Sequence, residues 1–330
     1  MRISRNDVAN LAGVSPTTVS FVLNNRTDMG ISAETIVKVQ QAAKKLGYIP
    51  NRAARVLKTG KSNVVALWIS NITTPYYSDA VHNIQKSLSD NDYDMLIGDT
   101  KHVDIERRVR SLSEWFVDGV IAYDCRRYVE SFLNIYGETN LPIVSIGSSY
   151  CNMVDYVTFD ISYGVLEAFN YFINNGCKNI AYVVPEQGRN VDNKRLKIYN
   201  KILKANNIDS FLIPIKTNSR DEACQTIKNY DKIKLIDAIY CYNDDIAIGT
   251  LRGLNDMGIK VPDDILLIGT DNINEGLYTN PRLSSVVIPT KDMCETAWKF
   301  LRNRMQNRNL PIQSKVFKSS LYLSESSKIN

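Results

Sequence analysis

The sequence predicts a two-part chain. An N-terminal three-helix helix-turn-helix head with a hinge helix precedes an α/β body of two lobes built on parallel sheets. Three observations predict it. Short, capped helical patterns fill the first fifty residues. Residues 1–62 hold ten Lys/Arg against three Asp/Glu, a balance of +7, whereas the rest of the chain balances at −2. From Val64 onward, short apolar runs alternate with amphipathic stretches, the pattern of strands and helices in a parallel sheet. The 330 residues suffice for two or three domains. The expected boundaries are 1–50 for the head, 51–62 for the hinge and linker, and 63–330 for the body.

The head reads in order. Ser4 caps a first helix with Val8, Leu11 and Ala12 at helical spacing, and Gly13 stops it. Ser15 caps again, and Pro16 takes the first helical position, where its missing N–H costs nothing. Val19, Val22 and Leu23 give the second helix its apolar face. After a loop from Asn24 to Ile31, Ser32 caps a third helix with Ile36, Val39, Ala43 and Leu46 inward, ended by Gly47. Two short helices joined by a tight turn are a helix-turn-helix, whose second helix enters the major groove by its N-terminal end. A basic head on a slightly acidic body suits a polyanion.

Next, Pro50 breaks the chain, and Asn51 caps a helix-prone stretch from Arg52 to Lys58. Two turns of helix are marginal alone in water, so this stretch is expected to fold only when docked.

The body follows with strands at VVALWIS, YDMLIG, DGVIAY, PIVSIG, YVTFD, NIAYVV, FLIPI, AIYCY, DILLIG, SSVVIP and VFKSSLYL. Between them lie helices at about 77–90, 105–116, 163–174, 193–206, 245–257 and 291–305, with another after FLIPI. Ligands of such sheets bind at the C-terminal ends of strands, and two lobes place that crevice between them. Polar residues at those ends are the ligand candidates: Asp160 after YVTF, Arg189 and Arg195 after NIAYVV, Asn243 and Asp244 after AIYCY, and Asp271 after LLIG. Carboxylates and an amide bridge adjacent hydroxyls and Arg195 donates bidentately, a set suited to a polyol. Tyr77 and Tyr240 supply an apolar or stacking wall.

Other classes fit poorly. None of the six scattered cysteines forms a C-x-x-C pair, and there are only two histidines. No metal and no cofactor is expected. The chain shows no G-x-G-x-x-G, P-loop or G-x-S-x-G at a strand–helix turn, so an enzyme is not expected. No signal-peptide pattern or membrane-spanning run is present, which points to a cytoplasmic protein, nucleoid-associated when on DNA.

DVANLAGVSPTTVSFVLNN, followed by ISAETIVKVQQAAKKLGYIPN, resembles the head of the lac repressor and purine repressor family of bacterial transcriptional regulators. VDGVIAY, DDIAIGTL and MGIKVPDDILLIGTDN extend the resemblance to the C-terminal strand, where Ser324 replaces a usual arginine. The resemblance implies a body of the periplasmic-binding-protein type, a homodimer and a near-palindromic operator. It places Pro16, Thr17 and Phe21 at base edges. None of these makes an arginine–guanine contact, so readout is weighted toward thymine methyls. Phe21 alternatively packs on the head's own core. Ser15, Thr18 and Ser20 fall to phosphates, with Arg5, Arg26 and Lys38 on the backbone. The hinge resemblance pairs two copies in the minor groove. Leu57 is the wedge there, Ala53 and Ala54 allow close approach, and Asn51, Arg52 and Arg55 lie beside the DNA. The implied function is a regulator, most simply a repressor, controlled by a sugar or sugar derivative. The alternative is a catabolite-control type governed by a protein corepressor. A transport binding protein would lack the basic head.

Overall fold

The structure, a computed structural model, describes residues 3–23, 30–49, 60–100, 104–113, 116–137, 141–186 and 194–328. It divides into two units, residues 1–62 and 63–330.

In the first unit, helices α1 (Arg5–Ala12), α2 (Pro16–Leu23) and α3 (Ala33–Leu46) enclose a small core of Val8, Ala9, Val19, Val22, Val39, Ala42 and Ala43. Ser4 and Asp7 form a reciprocal cap on α1: the Asp7 N–H donates to the Ser4 hydroxyl and the Ser4 N–H to the Asp7 carboxylate. Those hydrogen bonds hold the Asp7 carboxyl below its usual range. Gly13, at φ 66°, takes the left-handed turn that ends α1. Leu11, expected inside, is 46 % exposed. Ala9 is buried instead, because the face that meets α2 and α3 is centred between Val8 and Ala9.

The second unit carries two six-stranded sheets. The first joins β1 (Val64–Ile69), β2 (Asp94–Asp99), β3 (Gly119–Tyr123), β4 (Ile143–Ile146), β5 (Asp155–Asp160) and β11 (Ser314–Lys318), in the spatial order β11-β5-β4-β3-β1-β2. All of its pairings are parallel. The second joins β6 (Asn179–Pro185), β7 (Asp209–Ile215), β8 (Ala238–Cys241), β9 (Leu266–Asp271), β10 (Ser284–Val287) and β12 (Ser320–Tyr322), in the order β12-β10-β9-β8-β6-β7. Only its β10–β12 pair is antiparallel. Central strands such as β1 and β3 are buried almost throughout, as parallel strands covered on both faces must be.

Helices connect the strands in chain order: α4 (Pro75–Ser89), α5 (Ile105–Ser113), α6 (Arg126–Tyr136), α7 (Ser162–Asn174), α8 (Lys194–Ala205), α9 (Arg220–Lys228), α10 (Asp244–Asp256) and α11 (Thr290–Gln306). Most elements fall within two residues of expectation. Two differ. The sequence pattern predicts no element over 126–136, yet RRYVESFLNIY forms α6, with Val129 and Phe132 buried beside Trp68. VFKSSLYL, expected as one strand, is two strands in different sheets, because the chain crosses at Ser319.

The chain therefore passes between lobes three times, at Asp160–Ser162, at Val287–Thr290 and at Lys318–Ser320. The first and third passages are bonded together. Ser319 donates its N–H and hydroxyl to the Asp160 carbonyl, and its hydroxyl oxygen accepts the Gly164 N–H near the start of α7. A nearly dry ion pair, Arg304 on α11 to Asp155 on β5, fixes the return path, with the Gln313 N–H also donating to Asp155.

Candidate functional site

The head presents the start of α2. The Thr18 N–H donates to the Ser15 hydroxyl at 3.1 Å, and the two hydroxyls lie 2.9 Å apart. Ser15 is thus a working N-cap, and the Thr18 hydroxyl is bonded to it. Thr17 is exposed; Pro16, Ser20 and Phe21 are partly buried. Thr17 and Phe21, four residues apart, share one face of α2. Arg5 is exposed, and Lys38 pairs with Glu34 at 2.8 Å along α3. Arg26, Asn51, Arg52, Ala54, Arg55 and Leu57 lie outside the described residues, as does Arg189 in the body.

In the body, the C-terminal ends of β3 and β9 present one carboxylate each. Asp124 follows β3 with φ 53°, and Asp271 ends β9 with φ 106°, both in the left-handed region. Each is over-determined by its surroundings. The Tyr77 hydroxyl donates to Asp124 at 3.0 Å, and the Ser148 hydroxyl and Ser149 N–H donate to its other oxygen. Gly147 permits this approach: a Cβ there would stand 2.5 Å from Asp124 Oδ1, at a φ of 104°. Burial raises the Asp124 carboxyl, and the bonds from Ser149, Ser148 and Tyr77 only partly offset it. On the other side, buried Asp244 accepts the Ile273 N–H and the Ser285 hydroxyl, pinning the loop that carries Asp271. Burial pushes Asp271 up to about 7; the Arg195 guanidinium lowers it, while the Asp245 and Asp124 charges raise it further.

Between the start of α4 and the end of β9 lies a cavity of about 450 Å³, within the range of small-molecule sites. Pro75, Tyr76, Ser78 and Asp79 line it from α4, and residues 271–275 with Leu277 from the β9 loop. Thr290, at the second passage, also lines it. The Tyr76 hydroxyl is 2.9 Å from that of Tyr123, and the rings of Tyr76, Tyr77 and Tyr123 pack edge to face. Burial raises the Tyr76 hydroxyl well above its ordinary value, and the charges of both Asp124 and Asp271 add to this. Tyr76 therefore feels both lobes.

Of the expected ligand residues, Asp271 lines the cavity, Tyr77 packs on the lining Tyr76, and Arg195 lies near enough for its charge to lower the Asp271 carboxyl. Arg195 lies over the Tyr242 ring, 4.3 Å from its centroid. Three others have structural duties. Asn243 caps α10: its Oδ1 accepts the Ile246 N–H and its Nδ2 donates to Asn218. Tyr240 is fully buried against Phe169 and Tyr182, and its hydroxyl is 2.7 Å from that of Thr270, so it backs the site instead of walling it. Asp160 accepts the Ser162 N–H at the start of α7; burial raises its carboxyl, but the Ser162 bonds and the Lys194 charge leave it below its ordinary value. Sequence reasoning missed Tyr76, Asp79, Asp124 and Glu275. Asp124 obeys the rule that found Asp271, a carboxylate closing an apolar strand.

Among the described residues, no three His, Cys, Asp or Glu side chains gather as a metal site, and no helix is long and apolar enough to cross a membrane.

Residues 6–51 match the family described as bacterial regulatory proteins, lacI family, and residues 169–327 match the periplasmic binding protein-like domain. The chain is 33% identical over 311 residues to the HTH-type transcriptional regulator RegA of Clostridium acetobutylicum, covering 91% of this chain and 92% of that one. It is 30% identical over 292 residues to the HTH-type transcriptional repressor PurR of Histophilus somni, covering 85% of each. Among solved structures, it is similar to the lac repressor dimer bound to operator and an anti-inducer, with TM-score 0.81, 21% identity and 99% of both chains covered. It is also similar to the complex of the transcriptional regulator CelR with cellobiose, with TM-score 0.68 and 25% identity, covering 98% of this chain and 100% of that one.

Proposed function

Because this chain belongs to the lacI family of bacterial regulatory proteins, a family of DNA-binding transcriptional regulators with a ligand-binding body, we propose that it is a repressor controlled by a sugar or sugar derivative. The observation that carries the effector reading is the polar cavity at the strand ends, with Tyr76 on one side and Asp271 on the other. Carboxylate, amide and hydroxyl groups around one aromatic ring suit a polyol. The cellobiose bound by the similar CelR supports the same class.

In this reading two chains bind a near-palindromic operator. Thr17 and Phe21 meet thymine methyls from the start of α2, with Pro16 beside them. Ser15, Thr18 and Ser20 serve phosphates together with the helix N-terminus, and Arg5 and Arg26 reach the backbone. Asn51, Arg52, Ala54 and Arg55 carry Leu57 into the minor groove. Effector contacts come from Tyr77, Arg189, Arg195 and Asp271. A ligand that favours one arrangement of the lobes shifts DNA affinity by its differential affinity for the two states.

The test is a thermal-shift screen of the full chain against sugars, sugar phosphates and nucleobases. A ligand at about a hundred times its Kd stabilises by roughly 2.7 kcal/mol. The expected result is a sugar-induced shift that Asp271→Ala abolishes. A nucleobase shift with no sugar shift would replace the effector class and leave the DNA assignment standing.

A further inference from the structure

We propose that Tyr182 is a positioning residue of the effector site, its hydroxyl oxygen accepting a hydrogen bond from the Arg195 guanidinium when a sugar is bound. This rests on the sugar reading of the cleft, in which Arg195 is an effector contact, and adds what holds that contact in place.

Three tyrosines pack together around the second sheet: Tyr182 on β6, Tyr199 on α8 and Tyr240 on β8. All three are fully buried. Tyr199 donates to the Ile180 carbonyl and accepts from the Phe211 N–H, and the Tyr240 hydroxyl is 2.7 Å from that of Thr270. The Tyr182 hydroxyl has no hydrogen-bond partner among the described residues. A buried hydroxyl is costly to leave unpaired, so it calls for a bond made in another state of the protein.

The register shows where it points. Tyr182 pairs with Tyr240 across β6 and β8, with ring centroids 5.2 Å apart. Tyr240 reaches Thr270, the neighbour of Asp271 at the end of β9. Burial raises the Tyr182 hydroxyl well above its ordinary value, and Arg195, the foremost of the charges acting on it, lowers it. Arg195 stands in the first turn of α8 and Tyr242 just past β8, both at the C-terminal ends of strands. The Arg195 charge also lowers Asp271, which lines the cavity. One guanidinium thus acts on both the Tyr182 hydroxyl and the cavity carboxylate.

Arg195 lies over the Tyr242 ring. A sugar oxygen beside Asp271 draws the guanidinium from that ring to donate to it. The fork carries five N–H donors, and those turned away from the sugar need an acceptor as the site dries. Tyr182 supplies one, from an oxygen that gives up no earlier bond.

The experiment is isothermal titration of the full chain with cellobiose, D-glucose and D-ribose, beside urea denaturation without sugar. Tyr182→Phe removes only the hydroxyl. It should weaken binding of the tightest of these sugars by about tenfold and leave the denaturation midpoint unchanged or higher. On Tyr242→Leu protein the same change should weaken binding by at most about threefold, because Arg195 then has no ring to fall back on. Unchanged sugar affinity in Tyr182→Phe would overturn the positioning role and leave the sugar reading intact. So would an equal loss with and without Tyr242→Leu, which marks a direct contact with the sugar. A lowered midpoint would overturn it too, since the hydroxyl would then be bonded without sugar. No binding of any of these sugars by the unaltered chain would overturn both.

Discussion

Asp271 ties backbone, electrostatics and ligand together. Its left-handed φ is held because Asp244 bonds the next turn of the loop, so the carboxyl is presented whatever its protonation. The groups around it are Arg195 from α8, Asp244 and Asp245 from α10, Asp124 beyond β3, Tyr240 from β8 and Tyr76 from α4. With its carboxyl raised from 3.8 to about 7, the folded chain holds a proton there that the unfolded chain has lost. Its contribution therefore destabilises progressively as pH rises from about 4 to 7 and is constant above. Asp271→Asn should stabilise the ligand-free protein by on the order of 2 kcal/mol at pH 8 and by almost nothing at pH 4, read by urea denaturation. Equal effects at both pH values would sink the burial account. At the DNA end, Thr17 and Phe21 make a narrower prediction. Replacing operator thymines by uracil should weaken binding by about 1 kcal/mol at one or two positions per half-site, measured by titration. Unchanged affinity at every position would return Phe21 to a packing role.

At the scale of elements, the passages between lobes carry the structural argument. Ser319 caps α7 from the far end of the chain, satisfying the Gly164 N–H and holding the Asp160 carbonyl. Ser319→Ala leaves the buried Gly164 N–H short of a partner, while the Asp160 carbonyl keeps the residue-319 N–H, and should cost about 1–3 kcal/mol in denaturant unfolding. A loss near zero would mean water replaces the hydroxyl. This crossing was not legible in VFKSSLYL, because an apolar run with serines in its middle reads as one strand whichever sheet its halves join. The helix 126–136 was missed for a related reason: it lies between two strong strands and begins after Cys125, which makes no side-chain cap bond. Elements with capping residues or apolar runs were legible to within a residue or two, α2 and β1 among them, since their signals are local. In the cleft, Asp271 was legible from strand position alone. Asn243 was not separable from a helix cap, because one residue type at one position serves either duty.

For the whole molecule, the unequal charge of the two parts sets the solution behaviour. The head and hinge carry +7 and the remainder −2. Operator affinity should fall by about 10³-fold or more between 50 and 200 mM salt, provided six or more phosphates are contacted across the dimer; a filter-binding series gives the slope. A flat response would remove the basic head as the contact surface.

The double role of the C-terminal strands has a further consequence, one of timing. β11 completes the edge of one sheet and β12 the edge of the other, and both are made last. As the chain leaves the ribosome, both lobes wait for the same closing stretch, which completes the first sheet with β11 and then the second with β12. A premature stop codon just before Ser314 would therefore strip an edge strand from each lobe together, whereas one just after Lys318 would strip only β12 and leave the first sheet's edge intact.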